Sequence, residues 1–274
     1  MPNPVIVPVD TVAAAERALI TGAALAGHAG AELLVVHVAA DPDQAARREV
    51  ELKDALVALG LVGAVVTRWG RAPAEVIAEM VASEPASVLC MATRAPGRFG
   101  GAMFGSTAEK LLRAGCGPTL LVGPNVEVQR QWGWKELAVC VDSSPDSEAT
   151  LPFAAEWADT MALDIRLLHV LNPATVRELR VSCPELHFRD EGYVDSVALD
   201  LTSTWAVDAD AEILYGAHPA AAITAFLEAH PATLPFLGSH GRSGLRRFLM
   251  GSVTARVVHD SPSPVVVVCP AKAW

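Results

Sequence analysis

The chain has 274 residues, 51% of them hydrophobic and 19% charged, which is enough apolar material for two folded domains and excludes a disordered chain. A net charge of -10 with few aromatics argues against nucleic acid or an anionic membrane as the main partner. The five cysteines form no C-x-x-C pair, the N-terminus MPNPVIVPVD lacks the charged and apolar regions of a signal peptide, and no apolar run reaches the ~18 residues of a membrane span. These features predict a cytoplasmic protein. Cys90, Cys140 and Cys269 lie in apolar runs and are expected to be small buried hydrophobes.

In chain order, Val5 to Val9 reads as a strand ending at Asp10, and Ala13 to Ala29 as a helix stopped by Gly30. Strand Leu33 to Val38, helix Asp41 to Leu59 and strand Val62 to Trp69 follow. Gly70-Arg-Ala-Pro73 opens a helix through Met80, with proline in its first turn. After strand Val88 to Met91 comes a glycine-bearing loop, a helix capped by Ser106, and strand Thr119 to Val122. Strands alternating with helices predict a parallel, doubly wound sheet.

The series then begins again. Leu137 to Val141 ends at Asp142 as Val5 to Val9 ends at Asp10, and Leu167-Leu-His169-Val170 repeats Val35-Val-His37-Val38, both at an offset of 132. Tyr215-Gly216 and Pro219 repeat Trp69-Gly70 and Pro73, and Gly251-Ser252 repeats Gly105-Ser106, at an offset of 146. Two constant offsets separated by one step indicate a tandem duplication with one insertion of about 14 residues. The acidic segment from Asn172 to Ala209 is its host and is expected to hold a longer helix around Val194 to Trp205. The domains are therefore set at 1–124 and 136–274, joined by a linker whose Trp132 and Trp134 are expected to pack on a domain face, a partner surface being the alternative.

The segment Thr233 to Val268 carries the chemistry. Leu234 to Leu237 stops at Gly238; glycines recur at Gly241, Gly244 and Gly251; and Ser252 is placed to cap a helix whose apolar face is Val253, Val257 and Val258. Glycines let backbone N–H groups approach a phosphate, and the helix start adds free N–H groups and the positive dipole end. Arg242, Arg246 and Arg247 add charge nearby. The chain has no Gly-Lys pair and no G-x-G-x-x-G after a strand, so neither the P-loop nor the dinucleotide fingerprint is present.

Gly238-x-x-Gly241, nine residues, then Gly251-Ser252 resembles the ATP-binding signature of the universal stress protein family, and Pro262-Ser-Pro264-Val-Val-Val-Val resembles that family's last strand. With the repeat, the resemblance covers essentially the whole chain twice, as in a tandem member. It implies two five-stranded parallel sheets of order 3-2-1-4-5, a Rossmann-like arrangement whose ligand lies where strand order reverses. It further implies ATP as ligand with Mg²⁺ as the candidate metal, held by Val141, Asp142, Val170, Gly238, Gly241, Arg242, Gly251, Ser252 and Val253. In the first half the implied set is Val9, Asp10, Gly105 and Ser106, but Ala92 and Ala95 stand at the places of Gly238 and Gly241 and Pro96 follows.

Asp142 has a second reading, since VDSSPDS is also a helix start with Ser143 or Ser144 as N-cap. His37 and His169 are expected to be structural, and His259 with Asp260 a surface pair or a complement to the helix dipole. No catalytic base is assigned, so the expected function is an adenine-nucleotide-binding sensor or scaffold of the stress response. A slow ATP-hydrolysing enzyme, a nucleotide-free interaction module and a flavin relative of the fold are the alternatives. The resemblance also implies that the halves pair as a pseudo-dimer and that whole chains form a homodimer.

Overall fold

The computed structural model describes residues 4–84, 86–93, 104–182, 184–241 and 250–269, with the backbone alone for 178–191. They divide into two compact units, with the boundary between Trp132 and Gly133.

The first unit runs β1 (Val5–Pro8), α1 (Val12–Ala29), β2 (Leu33–Ala39), α2 (Pro42–Ala58), β3 (Ala64–Trp69), α3 (Pro73–Ser83), β4 (Val88–Ala92), α4 (Ser106–Ala114) and β5 (Pro118–Val122). Its strands pair in parallel in the order β3-β2-β1-β4-β5, with the reversal between β1 and β4. Local sequence explains the helix ends. Thr11 caps α1 by accepting from Ala14 N, and Asp41 caps α2 by accepting from Gln44 N at 2.8 Å. Proline opens both α2 and α3. Leu52 and Leu56 bury the inner face of α2, whereas Val50 is 60% exposed, so that helix's apolar stripe is narrower than its sequence suggests. Val62 stands outside β3, which begins two residues later.

The second unit runs β6 (Glu136–Cys140), α5 (Pro145–Glu148), α6 (Leu151–Met161), β7 (Asp164–Leu171), α7 (Pro173–Ser182), α8 (Pro184–Trp205), β8 (Ala209–Tyr215), α9 (Pro219–Ala229), β9 (Thr233–Gly238), α10 (Ser252–Asp260) and β10 (Val265–Val268). Its parallel order is β8-β7-β6-β9-β10, the same winding as the first. The four valines of β10 are almost wholly buried, each side chain contributing about 1.5–3 kcal/mol of transfer free energy. Such unalternating apolar runs are what a sheet covered on both faces requires.

The longer helix expected around Val194 to Trp205 is present as the end of α8, with α7 before it in the same segment. Two differences from expectation bear on function. Helices α4 and α10 are capped by Gly105 and Gly251, which hold extended backbone, so Ser106 and Ser252 are first helical residues and not caps. Val253 does not join the buried face of α10. That face is Thr254, Val257 and Val258, and Val253 is exposed.

Trp132 and Trp134 are both buried, and Arg17 of α1 donates to Gly123 O and Val126 O at 2.7 Å, tying down the start of the linker. Cys90 and Cys269 are buried as expected; Cys140 is half-buried as a residue.

Candidate functional site

In the second unit the reversal falls between β6 and β9, and their carboxyl ends open into a cavity of about 310 Å³. That is the low end of the range of small-molecule sites. One wall is aliphatic: Val141 and Val170 from the strand ends, with Pro219 and Ile223 of α9. The lining also includes the chain around Gly238, Gly241, Gly251, Ser252 and Val253, together with Asp142.

The main chain around Asp142 is fixed by its own serines. Ser144 Oγ and Ser144 N both donate to Asp142 Oδ1, at 2.5 and 3.1 Å. Ser144 Oγ in turn accepts from Ser147 N as the N-cap of α5, and Asp142 N donates to Ser147 Oγ at 3.2 Å. Ser143, between them, sits at φ 59°, a left-handed conformation that a serine adopts at some cost. The helix start read from VDSSPDS is met by Ser144 as the cap, and the Asp142 carboxylate stands half-buried at the cavity.

Behind this loop, His169 Nδ1 lies 2.7 Å from Val141 O. The carbonyl can only accept, so that nitrogen carries the proton. His37 makes the same 2.7 Å bond to Val9 O in the first unit, so both histidines have the structural role expected of them.

The glycines are needed where they stand. A Cβ on Gly241 would collide with the Asp142 carboxylate, and one on Gly238 would lie 2.8 Å from Asp146 O. Gly251 N donates to Ser239 O at 2.7 Å and Thr254 Oγ1 to Gly238 O at 2.8 Å, which joins the end of β9 to the start of α10. The first intrahelical bond at this end is Ala255 N to Gly251 O. The amides of Ser252, Val253 and Thr254 therefore precede the hydrogen-bonded ladder, at the positive end of the helix dipole. Cys140 lies at the floor, where burial of its sulfur pushes the thiol up to about 12 and keeps it neutral.

Eight of the nine second-half candidates thus line one cavity: Val141, Asp142, Val170, Gly238, Gly241, Gly251, Ser252 and Val253. Arg242 lies outside the described residues. Val9, Asp10, Gly105 and Ser106 line an equivalent cavity of about 330 Å³ in the first unit, where Ala92 takes the place of Gly238. Ala95 and Pro96 lie outside the described residues. Among the cavity residues, Ser147 and Ile223 were not singled out from sequence. Ile223 was within reach, because Ile77 lines the first cavity and the two share the offset of 146. Among the described residues no group of acidic, histidine or cysteine side chains forms a metal cluster. Nor is any described helix long and apolar enough to cross a membrane.

Fold and site together define a tandem pair of doubly wound α/β domains, each with a cavity at its strand-order reversal. The model of the universal stress protein family matches residues 1–123 and 133–269, so the chain belongs to that family. It is similar to a universal stress protein of Mycolicibacterium smegmatis, 29% identical over 192 residues, which is 69% of this chain and 64% of that one. A universal stress protein of Methanocaldococcus jannaschii is 40% identical over 68 residues, 25% of this chain and 39% of that one. The chain thus spans less than two thirds of the length of these curated relatives. Among solved structures, a universal stress protein from Archaeoglobus fulgidus aligns over 100% of this chain and 98% of its own, with a TM-score of 0.66 at 19% identity, a likeness of fold.

Proposed function

We propose that the second-half cavity binds an adenine nucleotide, ATP in the first instance, and that the protein acts as a nucleotide-responsive sensor or scaffold in the stress response. The observation that carries this reading is the convergence of Asp142, Gly238, Gly241 and the first turn of α10 on one cavity at the strand-order reversal. The aliphatic wall of Val141, Val170 and Ile223 suits a purine base. The Asp142 carboxylate suits ribose hydroxyls, and the start of α10 suits phosphate. Mg²⁺, when bound, would neutralise part of the phosphate charge.

Asp142 is engaged by Ser144 as a positioning acceptor, which favours binding over proton transfer. Binding then acts by differential affinity for two conformational or oligomeric states. A homodimer and an intramolecular pairing of the halves belong to the same proposal, and light scattering with and without nucleotide tests the first of them. The functional reading is tested by adding Mg²⁺-ATP to the purified chain and following both thermal stability and phosphate release. A rise in melting temperature without appreciable turnover supports it. Sustained turnover abolished by Asp142→Ala would make the protein an ATPase instead, and no thermal response to any adenine nucleotide would leave the interaction module.

A further inference from the structure

Helix α8 takes the place between β7 and β8 that α2 holds between β2 and β3, and its Tyr193 bonds α5 beside the candidate site. Tyr193 donates its hydroxyl to Glu148 Oε1 of α5 at 2.8 Å, and the backbone of Ser143 hydrogen-bonds the same phenol. Its ring stands edge-on to His169, with centroids 5.6 Å apart and planes at 63°. His169 is the residue that holds Val141 O. Tyr193 therefore touches the Asp142 loop on both sides, at Ser143 and Glu148, and its support from behind, through His169. Burial first, and then the Glu148 carboxylate, hold the phenol above its usual range, so it acts as a neutral hydroxyl. The rest of α8 packs on β7, β8 and α6, so the tyrosine projects from a seated helix.

The first half shows what is added. His37 bonds Val9 O there as His169 bonds Val141 O, but Asp10 is followed at once by Thr11 and the continuous helix α1. The second half instead has a left-handed Ser143, a one-turn α5 and a fresh start at α6. Tyr193 adds a tie from outside to a loop that its own serines hold from within.

We propose that Tyr193 is a positioning residue that couples helix α8 to the nucleotide site, holding the Asp142 loop in its binding form and carrying site occupancy back to α8. The proposal rests on the reading of the cavity as a nucleotide site. Coupling of this kind is reciprocal: if the helix sets the affinity, the ligand steadies the helix.

The test compares the wild type, Tyr193→Phe and Leu199→Ala by hydrogen exchange and by titration with Mg²⁺-ATP. Phenylalanine keeps the ring against His169 and removes only the hydroxyl. Leu199 is exposed on the same helix and serves as the control. Without ligand, Tyr193→Phe should speed exchange at Ser143 to Glu148. With ATP, it should bind about five- to tenfold more weakly, the worth of about one hydrogen bond. It should also lose the ATP-dependent protection of residues 194–205 that the wild type and Leu199→Ala show. A helix with merely structural value would lower stability without uncoupling these responses. Wild-type affinity in Tyr193→Phe, or a wild-type α8 whose exchange ignores bound ATP, would overturn the proposal. A wild type that binds no adenine nucleotide would overturn the functional reading and the coupling with it, while the ligand-free exchange would still show whether Tyr193 holds the loop.

Discussion

Gly238→Ala isolates one methyl group at the junction of strand and site. A Cβ there would lie 2.8 Å from Asp146 O and 3.2 Å from His240 O. Both are main-chain atoms, so no side-chain rotation relieves the contact, and either α5 or the loop after β9 must move. Overpacking of this kind costs about 1–3 kcal/mol. The movement also reaches function, because α5 carries Ser144 and Ser147, whose bonds hold Asp142. A loss of only 1.4 kcal/mol in binding is about tenfold in affinity. The prediction is a lowered melting temperature together with ATP binding at least about tenfold weaker by calorimetry. Ala92→Gly is the mirror control, since that position already carries a methyl group and the chain opposite it enters α1 without a break. It should cost no more than the ~1 kcal/mol of added backbone freedom. A Gly238→Ala protein that melts and binds as the wild type does would refute the claim that close approach of α5 and β9 shapes the site.

Asp142→Ala removes the acceptor of two Ser144 bonds and should weaken ATP binding by about tenfold or more in the same titration, as expected for bonds to a charged group. Thr254→Val leaves Gly238 O without its 2.8 Å donor in a buried position, so the melting temperature should fall by an amount corresponding to about 1–3 kcal/mol. Asp260 yields a pH test. Burial alone would raise its carboxyl, but the bonds from His259 and Arg256 together hold it below its usual value. The stabilisation is therefore present above the unfolded value, near ~3.9, and is lost as pH falls through the depressed folded value. Asp260→Asn should melt earlier than the wild type at pH 7, with the gap narrowing below about pH 4.

Much of this was legible in the residue order because duplication writes the same geometry twice. The offset of 132 aligned Asp10 with Asp142 and His37 with His169, and the offset of 146 aligned Pro73 with Pro219 and Gly105 with Gly251. All of those positions except His169 line the two equivalent cavities. The helix starts were off by one residue, since Gly251 N bonds Ser239 O and so ends the loop before Ser252. Val253 was misplaced for a related reason. A helix's first turn lies at the mouth of the cavity, where periodicity does not distinguish a core residue from a lining one. The cap at Ser144 was legible in VDSSPDS, but the bonds of Ser144 and Ser147 to Asp142 were not, because they depend on the left-handed backbone at Ser143, which a serine does not announce. Tyr193 was hidden for another reason: at the offset of 146 it falls opposite Arg47 of α2, a residue of different chemistry, so the repeat does not announce it.

The central claim is that the second half holds one nucleotide site shaped by Gly238 and Gly241. The most direct measurement is calorimetric titration of Mg²⁺-ATP into the wild type and into Gly238→Ala/Gly241→Ala, which copies Ala92 and Ala95 into the second half. A single site in the wild type, lost in the double variant, is the expected result. Undiminished binding in that variant, or no binding in the wild type, would contradict it.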